Sequence, residues 1–305
     1  MSAYNFMSFI KKKTYEQHDN EEGSFYKDSI KPFEFSETLE SNLDVDICVI
    51  GGGLTGVSSA LNLAKKGYSI ALCEARTLGW GASGRNGGQL GIAMRKDQFV
   101  IEKRLGFELA KELWNLGLEA VTETTKLISE YNIQCALQKG VISAGFSKQN
   151  RDDFHLEIDH MQKYYNFEGY KFLDKHMIKE EINTDIYDSG LINNYSYHLN
   201  PLKLLLGLAN ELVKLNVKIY ENTPITKILN DQDGIKIYSA NKIIKAKKVI
   251  VGCNGYLDKL LGNIRNKFMP INNYMIATEP LGESKAREII KNNYAVSDTR
   301  FIIDY

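Results

Sequence analysis

The residues best able to do chemistry gather between Asp46 and Glu74. Gly51, Gly53 and Gly56 stand at G-x-G-x-x-G spacing directly after the apolar run 47–50. Ala60, Leu61 and Ala64 then share a helical face, Gly67 stops that helix, and 69–73 reads as a second strand closed by Glu74. Strand, glycine turn, helix, strand and acid in this order make a βαβ unit that binds a dinucleotide. Gly51 makes the tight turn. Gly53 has no Cβ, so a pyrophosphate can approach the backbone. Gly56 and Ala60 let the helix lie close on the sheet. The helix start offers unpaired N–H groups and a positive dipole end to phosphates. Glu74 can accept hydrogen bonds from both ribose hydroxyls, each charge-assisted bond being worth roughly 1.5–3 kcal/mol. The same charge repels a 2′-phosphate, which disfavours NADP and leaves FAD and NAD.

A second cluster follows. Glycines recur at 79, 81, 84, 87 and 88, among Trp80, Ala82, Ser83, Arg85, Asn86 and Gln89. So glycine-rich a segment is a loop, not the interior of a helix or strand. It suits close approach to a flat ligand with main-chain N–H donors, and Arg85 can pair a phosphate or carboxylate. Other reactive residue types do not assemble. The four cysteines are widely spaced without C-x-x-C, and the five histidines show no ligand spacing. A reducing cytoplasm and no structural metal are therefore expected. Cys48 and Cys73 fall inside the two strands as buried thiols. Glu180 and Glu181 are adjacent, do not share a helix face, and read as solvated surface. His155, His160 and His176 lie in the same charged region and are assigned to the surface.

The elements that must position these residues come from the rest of the chain. Its 305 residues suffice for about two domains. With 38 basic and 38 acidic residues, no net charge draws it to nucleic acid or anionic membrane. At 43% apolar it can build a sizeable core, and no run nears the ~20 apolar residues of a membrane span. Lys11, Lys12 and Lys13 precede no apolar stretch, so no secretory signal is read. Residues 1–44 are a polar, mostly irregular lead-in whose Phe25, Tyr26, Phe33 and Phe35 can pack on the body or on a partner. Leu105, Leu109, Leu113, Leu116, Val121, Ile128 and Tyr131 form a stripe on one or two amphipathic helices. A strand is expected over 141–146. Asn200-Pro201 reads as an N-cap with proline in the first turn of a helix over 202–215. Strands follow at 217–220, 235–238, 248–255 and 268–278, the last with Pro270 near its start. A final strand opens at 301.

Taken together, GGGLTG (51–56), Glu74, GASGRNGGQ (81–89), HLNP (198–201), VIVGCNG (249–255) and IATEPLG (276–282) resemble the FAD-dependent amine and amino-acid oxidoreductases of the D-amino-acid oxidase superfamily. The GASGRNGGQ loop is most similar to that of γ-glutamylputrescine oxidase-like enzymes. The resemblance runs from about Ser24 to the last residue. Relatives continue further, so the chain is expected to be truncated at the C-terminus. The implied fold is an α/β Rossmann-like FAD-binding domain (45–96 and 199–262) with an α+β antiparallel-sheet substrate domain (97–198 and 263–305), after a lead-in over 1–44. The returning strand 249–255 fits a two-segment FAD domain better than a nicotinamide domain. Because some relatives attach flavin to a cysteine near their C-terminus while no cysteine here follows Cys253, noncovalent FAD is expected.

By resemblance, the cofactor-binding set is Gly51, Gly53, Leu54, Thr55 and Gly56 at the pyrophosphate, with Glu74, Ala75 and Arg76 at the adenosine. The loop positions Gly81, Ala82, Ser83, Arg85, Asn86, Gly87 and Gly88 run toward the isoalloxazine. Ile225 lies in a strand near the adenine, and Cys253, Asn254 and Gly255 end the returning strand. Gln89 and His198 are the candidates for lining the ring or substrate. For His198, a packed core histidine is an equal alternative. The implied reaction is hydride transfer from the carbon bearing an amine to flavin N5, giving an imine that water hydrolyses to a carbonyl. A neutral amine in an apolar pocket needs no strong base. Some relatives carry a cationic residue after the proline matching Pro270. Tyr274 and Met275 stand here instead, which leaves oxygen, a quinone or a carrier protein as electron acceptor. The alternatives are a weakly active truncated flavoprotein serving as a subunit, or an NAD-dependent dehydrogenase.

Overall fold

The computed structural model describes residues 24–300 except 32, 35, 233, 258, 259, 263, 265, 266, 270 and 272. The expectations for Phe35, Pro270 and the strand opening at 301 lie outside the described residues. The chain runs α1 (Phe25–Asp28), β1 (Leu43–Ile50), α2 (Leu54–Ala64), β2 (Ile70–Cys73), β3 (Gln89–Leu90), α3 (Gln98–Leu105) and α4 (Phe107–Glu130). It continues with β4 (Gln138–Gly145), α5 (Lys148–Tyr165), β5 (Tyr170–Leu173), α6 (Lys175–Glu181), β6 (Ser189–His198) and α7 (Pro201–Lys214). Then come β7 (Lys218–Tyr220), β8 (Lys227–Asp231), β9 (Gly234–Ser239), β10 (Lys242–Val251), α8 (Glu283–Ile289) and β11 (Ala295–Asp298).

Two sheets result. The first has the order β7-β2-β1-β10-β9-β8, parallel from β7 to β10 and antiparallel beyond. The last four positions of β1, Ile47 to Ile50, are buried on both faces, as parallel strands require. The expected returning strand is β10, which pairs with β1 from Leu43↔Ile244 to Ile50↔Val251 and stops at Val251, short of the glycines. One face is covered by α2 and α7. Val57, Ala60 and Leu61 pack there against Leu204, Leu205, Leu208 and Leu212. Each fully buried leucine contributes roughly 1.5–3 kcal/mol. Asn200 caps α7 by accepting the Lys203 N–H at 3.0 Å, with Pro201 in the first turn.

The second sheet has the order β11-β4-β6-β3, with β5 also on β6. It is antiparallel except for β11, which runs parallel to β4. Helices α3 to α6 accompany it. The long stripe on α3 and α4 divides at Gly106, whose φ of 83° breaks the helix. After that break the buried face is Ala110, Trp114, Gly117, Val121 and Ile128. Leu105, Leu109 and Leu116 are instead exposed. The expected strand over 268–278 is absent among the described residues. Its described residues are irregular and exposed, Ile276 most of all at 96%. His160 is not a surface residue either. Its side chain is 17% exposed, and its Nε2 lies 2.8 Å from Glu102 Oε1, which also accepts the Tyr165 hydroxyl at 2.6 Å. His155 and His176 are exposed, His155 resting on the Phe172 ring with centroids 4.0 Å apart. In the lead-in, Phe33 packs on the core of the first sheet while Phe25 is exposed.

Candidate cofactor cleft

The strands β2, β1 and β10 end side by side at Cys73, Ile50 and Val251. Outside those ends lies a cleft of about 570 Å³. Ligands of open α/β sheets bind in this position, beyond the carboxyl ends of the strands. The turn after β1 is built by backbone crossing backbone. Gly51 has φ of 108°, and a Cβ there would stand 2.6 Å from the Gly252 carbonyl oxygen. Gly252 in turn donates its N–H to the Ile50 carbonyl at 2.7 Å. A Cβ on Gly56 would overlap the Gly51 carbonyl. The fingerprint glycines thus let β1, α2 and the end of β10 meet at one point.

Gly53 differs. A Cβ there would meet only the Ser83 hydroxyl, 2.8 Å away. That hydroxyl accepts the Leu54 N–H at 3.0 Å, so one of the orphan donors of the first turn of α2 is held by the glycine-rich loop.

Glu74 lies at the end of β2, and its two oxygens are shared with the backbone. Oε2 accepts the Gly52 N–H at 2.6 Å and Oε1 the Arg76 N–H at 2.9 Å. A carboxylate offers about four lone-pair sites, so each oxygen can still accept one more bond. The two thiols at the cleft are poor nucleophiles. Hydrogen bonding to Cys48, then burial, pushes the Cys73 thiol up. Burial, with the Glu74 charge adding, pushes Cys253 up to about 11. Both stay protonated at neutral pH.

The loop 79–88 is less open than its composition implies. Its glycines meet protein: Gly79 faces Leu202, Gly84 faces the Gly79 carbonyl, Gly81 faces the Tyr256 ring, and Gly88 faces the Leu199 carbonyl. Asn86 braces the loop from within, donating to Ala82 and Ser83 carbonyls at 3.1 Å and accepting the Gly88 N–H at 2.8 Å. The Arg85 guanidinium sits over the Trp80 ring at 5.2 Å.

Of the residues expected from sequence, the cleft brings together Gly51, Gly53, Glu74, Ala75, Arg76, Gly81, Ala82, Ser83, Ile225, Cys253 and Asn254. Leu54, Thr55, Gly56, Arg85, Asn86, Gly87, Gly88 and Gly255 are not in its lining. Ile225 lies in the loop before β8, not in a strand. Gln89 and His198 lie outside the lining and face each other across the β3–β6 ladder. The His198 Nε2 is 2.6 Å from the Asn293 carbonyl oxygen. A carbonyl only accepts, so Nε2 carries the hydrogen and Nδ1 is the acceptor of a neutral ring.

Sequence reading missed Trp80, Thr223, Gly252, Tyr256, Leu257 and Leu260, all in the lining. Trp80 and Gly252 were within quoted motifs. Trp80 meets Tyr256 edge-on at 5.4 Å, a long-range contact with no local signal.

Residues 46–305 match the family described as "DAO: FAD dependent oxidoreductase". The chain is 33% identical over 289 residues to a "Probable oxidoreductase OrdL" of Haemophilus influenzae, covering 92% of this chain and 66% of that one. It is 33% identical over 283 residues to the "Gamma-glutamylputrescine oxidoreductase" of Escherichia coli, again covering 92% and 66%. It therefore spans just under two thirds of the length of each. Among solved structures it is similar in fold to a glycine oxidase of Geobacillus kaustophilus, at TM-score 0.59 and 21% identity over 73% of this chain and 58% of that one. An L-amino acid deaminase of Proteus vulgaris aligns at TM-score 0.61 and 17% identity over 75% and 59%. Among the described residues, no helix is long and apolar enough to cross a membrane.

Proposed function

Because the chain belongs to the DAO family of FAD-dependent oxidoreductases, we propose that it oxidises a C–N bond of an amine or amino acid, with FAD in the cleft beyond β2, β1 and β10. One observation carries this reading: Glu74, the α2 N-cap Gly53 and the Gly51–Gly252 crossing all border one cleft at the carboxyl ends of adjacent parallel strands. The residues present fit the cofactor. The remaining lone pairs of Glu74 accept the ribose hydroxyls. The first turn of α2, whose Leu54 N–H is already held by the Ser83 hydroxyl, would offer the N–H groups of Thr55 and Gly56 to the pyrophosphate past the bare Gly53. Ile225 supplies apolar contact to the adenine. Cys253, Asn254 and Gly255 form the wall beyond β10, and the loop from Gly81 to Gly88 leads to the reacting end.

Bound FAD supplies the two-electron oxidation, which turns the amine into an imine that water opens to a carbonyl and ammonia or an amine. The chain's part is to bind, orient and exclude water. Gln89 and His198 stand where β3 joins β6, at the edge of the second sheet, and are the side chains we assign to the substrate end. In this reading 45–96 with 199–262 hold FAD, and 97–198 with 263–305 form the substrate domain. The 33% identity to the E. coli γ-glutamylputrescine enzyme favours a γ-glutamylated diamine as substrate. The test is direct. Purified protein should show flavin absorption, and anaerobic addition of γ-glutamylputrescine should bleach it faster than glycine does. A protein that takes up no FAD, or whose flavin no amine or amino acid bleaches, overturns the proposal.

A further inference from the structure

We propose that Glu221 is a positioning residue for the adenosine end of the cofactor, holding in place the turn that presents Glu74. This rests on the reading that FAD fills the cleft with its ribose at Glu74.

The segment 74–78 leaves the end of β2 and must keep Glu74 aimed into the cleft. Three backbone bonds tie it to the chain after β7. The Glu74 N–H donates to the Tyr220 carbonyl at 2.9 Å, Thr223 N–H to the Glu74 carbonyl at 2.8 Å, and Asn222 N–H to the Arg76 carbonyl at 2.8 Å. Beyond Arg76 the backbone ladder ends. There the Glu221 side chain takes over, its Oε1 accepting the Leu78 N–H at 2.5 Å. The Glu221 carbonyl also accepts the hydroxyl of Thr223, a buried residue of the cleft wall, at 2.9 Å.

The same turn is therefore gripped by two carboxylates. Glu74 holds it from the cleft side, through Gly52 and Arg76. Glu221 holds it from the β7 side, through Leu78. Glu221 has no cation within ion-pair distance among the described residues. Burial pushes its carboxyl up, with the Glu74 charge adding, while the Leu78 N–H and Ser36 hydroxyl bonds oppose. A half-buried acid is costly to keep beside another acid. Its hold on the turn explains its presence. Nothing in the 203–226 stretch marks Glu221 as a partner of Leu78, 143 residues away.

The test separates the two ends of the cofactor. Full-length protein freed of flavin is titrated with FAD and, separately, with FMN, which carries the ring without adenosine. Glu221→Ala should weaken FAD about tenfold, the scale of one charge-assisted hydrogen bond, and leave FMN unchanged. Glu221→Gln keeps an acceptor for Leu78 and should stay within about threefold of wild type. Glu221→Asp is one methylene too short and should follow Glu221→Ala, which covers the case of an alanine variant that does not fold. In a Glu74→Gln background the same Glu221→Ala change should cost less than about threefold, because its effect passes through Glu74. Wild-type FAD affinity in both shortened variants, equal weakening of FAD and FMN, or an undiminished tenfold loss in the Glu74→Gln background each overturns the assignment. Wild-type protein that binds no FAD at all overturns the reading beneath it instead.

Discussion

In the turn 51–56 a Cβ on Gly51 would press on the Gly252 carbonyl and one on Gly56 on the Gly51 carbonyl; in the loop 79–88 a Cβ on Gly79 would press on the Leu202 side chain and one on Gly81 on the Tyr256 ring. Backbone cannot retreat without moving a strand or helix, whereas the far end of a side chain can. The two segments look alike in composition, yet the first is a crossing of three main chains, while the second mixes both kinds of contact, Gly79 and Gly81 meeting side chains, Gly84 the Gly79 carbonyl and Gly88 the Leu199 carbonyl. Within the turn 51–56, only Gly53 both faces the cleft and has a soft neighbour, a rotatable hydroxyl. Glycine content alone therefore does not mark the ligand. What marks it is a glycine whose space is not needed by the protein.

Gly56→Ala is the strongest way to test this contrast. The added methyl meets a carbonyl in the tightest part of the crossing, so α2 must lift from β1. We expect a loss of about 3 kcal/mol in urea unfolding, at the upper end for overpacking, together with loss of FAD. Unfolding like wild type would show that the crossing is looser than described. Gly88→Ala comes next. Here a φ of 70° and the Leu199 carbonyl both oppose the methyl. Its expected cost is about 2 kcal/mol, from left-handed backbone plus overpacking. Because the Leu199 N–H bonds to the Gly88 carbonyl at 2.9 Å, the Gln89–His198 ladder should open too. Amide exchange at those strand ends would report it.

Gly53→Ala should invert that pattern. Rotation of Ser83 relieves the contact, so stability should fall by less than about 1 kcal/mol, while FAD affinity falls about tenfold or more because the methyl enters the pyrophosphate path. If stability and affinity fall together as for Gly56→Ala, Gly53 is only another packing glycine. Glu74→Gln should be milder still, weakening FAD by roughly 1–2 kcal/mol through loss of charge-assisted bonds. An unchanged dissociation constant would place the ribose elsewhere.

These contrasts also show what was legible in the residues. The β1–α2–β2 unit is local: its spacing, its stop at Gly67 and its acid all lie within one stretch, so it could be read directly. The strand returning beside β1 is expected near 248–255, but the register that sets Gly252 opposite Gly51, about two hundred residues distant, is tertiary, and spacing cannot give it. The strand β6 went unread because Asn193, Asn194 and Ser196 interrupt its apolar alternation. Its strand character comes from pairing with β3, β4 and β5. The converse error fell at 268–278. There apolar, strand-like residues have no partner strand among the described residues, and strand preference is largely a property of the neighbours. On α4 the buried face keeps the expected Val121 and Ile128 but takes Ala110, Trp114 and Gly117 in place of Leu109, Leu113 and Leu116, because the helix starts afresh after the break at Gly106. Gln89 and His198 come from two separate motifs, which show neither their pairing across β3 and β6 nor the Asn293 carbonyl that occupies the His198 Nε2.

The smallest expected effect lies at the other end of β1, where side chains and not glycines join the same three strands. Asp46 Oδ1 lies 2.7 Å from the Lys247 ammonium, and its Oδ2 accepts the Ser69 N–H and hydroxyl, each at 2.9 Å. The Lys247 ammonium, then the Ser69 amide and hydroxyl, lower the Asp46 carboxyl to about 2. An unfolded aspartate titrates near about 3.9. With the folded value depressed, the contribution is fully present above the unfolded value and is lost as pH falls through the folded one. The window is thus from about pH 4 down to about pH 2. Asp46→Asn should be less stable than wild type at neutral pH, and the gap should close across that window. Lys247 is 80% exposed, so the ion-pair part should shrink in added salt while the Ser69 bonds persist. Urea titrations at several pH values, in low and high salt, measure both. A gap independent of pH would mean that the Asp46 charge contributes nothing and that its shape alone seats Ser69.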